Sequence, residues 1–102
     1  MTDIFAPAEC TAKNQVRAGV DDVDARIVAL IERRFAYMDA AACIKPDREA
    51  VRDEWRKADV KAKVDAAAAA AGLYRDLMSR LYEDLIETSI AHEFVEYDRR
   101  RG

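Results

Sequence analysis

The stretch that decides the fold is Val16 to Lys45, VRAGVDDVDARIVALIERRFAYMDAAACIK. Val16, Val20, Val23, Ile27, Leu30, Ile31, Met38 and Ala41 recur at three-and-four spacing, the pattern of an amphipathic helix. Thr11 is a suitable N-cap, and Pro46 disfavours helical geometry in the residue before it, so the sequence predicts one long helix over about 12–45. Arg34 falls inside the apolar stripe, where an unpaired charge is costly and an anion is expected to meet it. A helix advances about 1.5 Å and about 100° per residue, so Arg34 and Lys45 stand roughly 16 Å apart and within about 20° of one face. Long side chains could close on a small anion between them. Arg17 lies about 25 Å from Arg34 and roughly 100° round the helix by the same arithmetic. If all three cations hold one ligand, a second copy of the chain must supply Arg17.

Beyond this helix the pattern repeats twice. A short loop spans 46–49, where Asp47 can act as a cap, and a second helix is predicted over about 50–71, closed by Gly72. Its apolar face is thin: Val51, Trp55, Val60 and Val64, then the run Ala66 to Ala71, whose small side chains permit close helix approach. A third helix is predicted over about 74–98, with Leu77, Leu81, Leu85, Ile86 and Phe94 as core candidates. Met78, Tyr82, Ser89 and Glu93 form an adjoining strip, with Glu93 one turn beyond Ser89. Residues 1 to 10 read as a lead-in in which Pro7 breaks any earlier helix.

The totals agree with an all-α single domain spanning 1–102. Of 102 residues, 51% are hydrophobic and 36% charged, and only three Gly and two Pro punctuate the chain. Three long helices from so short a chain leave much apolar surface uncovered, which dimerisation would remedy. A net charge of −3 offers no broad basic stripe, so nucleic acid is not an expected partner. Arg99, Arg100 and Arg101 read as a solvated helix end whose cations suit the negative end of the helix dipole. Without a leader or an eighteen-residue apolar run, a cytoplasmic protein with no membrane contact is expected.

Two thiols without CxxC spacing and a single His give no metal set. Cys10, Cys43 and Ser89 have no inferable base, so covalent catalysis is not expected. His92 is expected to be exposed and Trp55 to be a core or interface anchor. What stands out is a group of inward cations, Arg34, Lys45 and Arg56, with Ser89 and Glu93 on a neighbouring helix.

These residues carry a resemblance. The order Arg17, IERRF with Arg34, Lys45 before a short loop, VRDEWRK at 51–57 and LYEDLIETSIAHE at 81–93 resembles the all-helical bacterial chorismate mutases over nearly the whole chain. The opening PAECTAKNQVRAGVDDVDARIV also resembles the isochorismate pyruvate lyases, which share that fold. The resemblance implies three helices per chain intertwined into a homodimer of the type II chorismate mutase fold, with no cofactor or metal. Each site would be lined by one chain plus an arginine crossing from the other. By that resemblance Arg17 is the crossing arginine, Arg34 a carboxylate clamp, Lys45 a donor to the ether oxygen and a carboxylate, and Arg56 a lining cation, with Asp53 and Ser89 as polar positions of the pocket.

The implied activity is the rearrangement of chorismate to prephenate in aromatic amino acid biosynthesis. The alternatives are a lyase releasing salicylate and pyruvate from isochorismate, or a helical dimerisation module without catalysis. Two positions depart from the family pattern. Lys57 stands where many relatives carry a glutamate that holds the substrate hydroxyl, and Glu93 stands where the mutases and lyases usually carry glutamine. A glutamate donates to an ether oxygen only when protonated, so activity is expected to fall as pH rises.

Overall fold

The computed structural model describes residues 3–102, which form helices joined by short turns with no strand among them. Helix α1 runs Lys13–Ile44, α2 Glu54–Ala71 and α3 Arg75–Arg101, with 3₁₀ turns at Pro7–Glu9 and Arg48–Val51. Two compact units divide the chain, Met1–Ala36 and Tyr37–Gly102, so α1 contributes to both.

In the first unit local bonds hold residues 6–12 ahead of α1. Glu9 Oε1 accepts from the Ala6 N–H at 3.2 Å, closing the 3₁₀ turn that Pro7 opens. Thr11 is not the cap expected of it. The Gln15 side chain reaches back instead, accepting from the Thr11 N–H at 2.7 Å and the Ala12 N–H at 3.2 Å. The Ala12 N–H, at the cap position, is a donor that a side chain at the third helical position can satisfy from inside the helix, and the same oxygen takes the Thr11 N–H just ahead of it. The apolar stripe is present but uncovered in this protomer: Val16, Val20, Val23, Ile27, Leu30 and Ile31 are all exposed, Leu30 at 62%. Ile4 and Phe5 fold toward the same helix and, with Val16, Val20 and Val23, line an open apolar groove of about 730 Å³.

In the second unit α2 and α3 pack on each other, and the Arg48–Val51 turn packs on α3. Helix α2 begins four residues later than the sequence suggests, because two aspartates cap in succession. Asp47 accepts from the Ala50 N–H at 2.9 Å and spends its cap on the 3₁₀ turn, while Asp53 accepts from the Arg56 N–H at 3.0 Å and starts α2. Gly72 ends α2. It sits at φ 69°, the left-handed region, and its N–H turns back onto the carbonyls of Ala68 and Ala69.

The core is small: Val51, Ile86 and Ile90, flanked by Val60, Tyr82, Phe94 and Tyr97, with Ala42 and Ala68 also buried. Trp55 is 74% exposed, and Leu77 and Leu81 lie outside the core as well, so these expected anchors stay largely in solvent in the protomer. Of the alanine run only Ala68 is buried. Ion pairs supplement the seam between α2 and α3: Lys57 with Glu83 and Glu87 at 2.9 Å each, Lys61 with Glu83 at 3.0 Å, and Arg75 with Asp65 at 2.6 Å. Arg52, just ahead of α2, donates to both oxygens of Glu87. Among the described residues, no helix is long and apolar enough to cross a membrane.

Candidate active site

Lys45 follows the last residue of α1, and its N–H still bonds the Ala41 carbonyl at 3.1 Å, so the side chain leaves from a helical turn. Its ammonium lies 2.9 Å from Glu93 Oε1 on α3. The Glu93 side chain is 5% exposed and that of Lys45 26%, a carboxylate inside facing a cation at the rim. The approach lies outside hydrogen-bonding directions, so Oε1 has the charge beside it but no hydrogen-bond donor among the described residues. One turn earlier on α3, buried Ser89 turns its Oγ–H back to the Leu85 carbonyl at 2.6 Å. Thus α1 and α3 bring a cation, a buried carboxylate and a hydroxyl into neighbouring positions. This is a set able to hold a small polar ligand and to donate protons to it.

The other expected residues are placed differently. Arg34 is half-buried in the first unit, and Arg17 is exposed there, lining a shallow hollow with Lys13 and Val16. Asp53 caps α2 with one carboxylate oxygen. Arg56 is exposed, and its guanidinium donates to Asp59 at 2.6 Å. Lys57 is held by Glu87 and then Glu83, which raise its pKa above the usual lysine value. Arg52 and Lys57 in turn hold the Glu87 carboxyl far down, to about 2. The opposite charge at position 57 is therefore neutralised on the face between α2 and α3.

Two features were not legible from the sequence. His92 is half-buried, with Nε2 2.6 Å from Asp39 Oδ1, a pairing across 53 positions that no local pattern announces. Asp39, His92 and Glu96 have donor atoms within 4.8 Å of one another and could in principle hold a metal ion. Glu96, however, is already engaged by Arg99 at 2.7 Å, which holds its carboxyl below the usual range, and Asp39 by His92. The second feature is Arg101, expected in solvent. Its guanidinium donates to the carbonyls of Ala42 at 3.0 Å, Cys43 at 3.4 Å and Lys45 at 3.1 Å, and stacks over the Tyr97 ring with 3.7 Å to the centroid.

The fold and this set of groups define a class, small all-helical proteins in which a cation at the end of one helix meets a buried carboxylate on another. Residues 16–94 match the family model of chorismate mutase type II, and the chain belongs to that family. No curated protein matches the chain.

Proposed function

We propose that the protein is a chorismate mutase that works as an interlocked homodimer, converting chorismate to prephenate for aromatic amino acid synthesis. The observation that carries the reading is the Lys45–Glu93 pair at 2.9 Å in a chain of this family. The reaction is pericyclic and needs no covalent intermediate. It needs the enolpyruvyl arm of a dianion folded over its ring, and charge stabilised on the ether oxygen as the C–O bond breaks.

Arg34 and Arg17 of the partner subunit hold the two carboxylates by bidentate contacts, and Arg56 adds positive potential. Lys45 turns from Glu93 to the ether oxygen, and Glu93, once protonated, donates to the same atom. Both donors act on charge that grows only in the transition state, so loss of either lowers kcat more than binding, by about a hundredfold or more. Asp53 and Ser89 complete the polar lining. The dimer is supported by the uncovered stripe Val16–Ile31 and by the exposed Trp55, Leu77 and Leu81, a large apolar surface for one protomer to leave in water.

We assign no hydroxyl contact to Lys57, whose ammonium is engaged by Glu83 and Glu87 of α3. The deciding experiment incubates the purified protein with chorismate and, separately, with isochorismate, following prephenate and salicylate. Prephenate as the main product supports the mutase. Salicylate from isochorismate with little prephenate transfers the same pocket to pyruvate elimination, and turnover of neither leaves a helical interaction module.

A further inference from the structure

Lys45 is the residue on which the proposed chemistry leans most, and it sits past the end of a helix, where a chain ordinarily frays. The last carbonyls of a helix have no intrahelical donor. For Ala42 the position four residues on is Pro46, which has no N–H to give. Ala42 is also fully buried, at 0% exposure, so water cannot take over. The missing donor comes from the far end of the chain. Arg101 Nη1 bonds the Ala42 carbonyl, and Nη2 bonds those of Lys45 and Cys43. Nη1 also reaches the Tyr97 carbonyl at 3.5 Å. The guanidinium is aimed by its stacking over Tyr97, one turn of α3 beyond Glu93. The helix that carries Glu93 therefore also clamps the backbone that carries Lys45.

We propose that Arg101 is a positioning residue for Lys45, locking the end of α1 so that the ammonium is held against Glu93 and, during turnover, against the ether oxygen. The role rests on the mutase reading given above, and it uses a planar fork: two separated Nη atoms reach three carbonyls at once, a spread that the single ammonium of a lysine does not reproduce. Position 101 lies outside the span 16–94 that the family model matches.

The test uses the full-length chain with Arg101→Ala and Arg101→Lys. Kinetics with chorismate should show kcat about tenfold lower for Arg101→Ala, KM changed by less than about threefold, and partial recovery in Arg101→Lys, since a small misplacement of a catalytic group acts mainly on the chemical step. Guanidinium ion at millimolar concentration should restore part of the Arg101→Ala rate. Hydrogen exchange supplies a readout independent of turnover. The Ile44 and Lys45 amides should exchange at least about tenfold faster in Arg101→Ala, while the α2 amides from Val60 to Ala68 stay unchanged. Unchanged kcat in a folded Arg101→Ala protein overturns the proposal, as does unaltered exchange at 44–45. A wild type that does not turn over chorismate, with exchange still accelerated at 44–45, overturns the mutase reading and leaves only the clamp.

Discussion

Replacing Lys45 by Met isolates the energetics of the Lys45–Glu93 pair. The Met side chain keeps the apolar stem and removes the charge 2.9 Å from a carboxylate that is 5% exposed. Breaking a fully buried pair costs about 3–5 kcal/mol, whereas an exposed pair is worth about 0–1 kcal/mol. Lys45 retains 26% of its side-chain surface in water, which places this pair between those limits. A ceiling also applies, because a stranded carboxylate can take up a proton. Protonating an ordinary glutamate costs about 3.7 kcal/mol at pH 7 and about 1 kcal/mol at pH 5. Lys45→Met should therefore lose about 2–3 kcal/mol at pH 7 and only about 1 kcal/mol at pH 5. Adding Glu93→Gln to Lys45→Met should recover at least about 1 kcal/mol at pH 7, since the uncompensated charge is gone. The assay is urea denaturation of the three variants at one fixed chain concentration, so that any self-association affects all alike. A loss under about 0.5 kcal/mol at pH 7, or an equal loss at both pH values, refutes the reasoning.

Two further outcomes test the frame around the site. The Glu87 carboxyl, held down to about 2 by Arg52 and then Lys57, contributes stability that is complete above the ordinary glutamate value of 4.5 and is lost as pH falls toward 2. The melting temperature should fall over that window, and Glu87→Gln should fall less steeply while starting lower; parallel curves would count against it. Asp53→Ala should cost about 1 kcal/mol of stability through the lost cap of α2, and Asp53→Asn much less, because asparagine caps as well. If Asp53 also contacts substrate, Asp53→Asn will lose activity while remaining stable, and retained activity in that variant assigns Asp53 to the cap alone.

The sequence displayed the helices because their signals are local: three-and-four periodicity, Pro46 after α1, Gly72 after α2. Where two local signals competed, as with Asp47 and Asp53, the start of α2 moved by four residues. What stayed hidden was pairing between distant positions. Nothing near His92 announces Asp39, and nothing near Arg101 announces the carbonyls of Ala42 and Lys45, because those contacts exist only once the C-terminal end of α1 lies beside α3. Lys45 and Glu93 could be brought together from sequence only through family resemblance, since 48 positions separate them. Trp55 could be read from sequence as a core or an interface anchor, and its exposure in this protomer removes the core reading.

The claim that each site draws on two chains is tested most directly by mixing Arg17→Ala subunits with Lys45→Ala subunits, both inactive alone, after co-refolding. In a random one-to-one mixture half the dimers are hybrids, and each hybrid has one site with Lys45 and Arg17 both intact, so about a quarter of the wild-type chorismate mutase rate should return. A mixture no more active than its separate components contradicts the account.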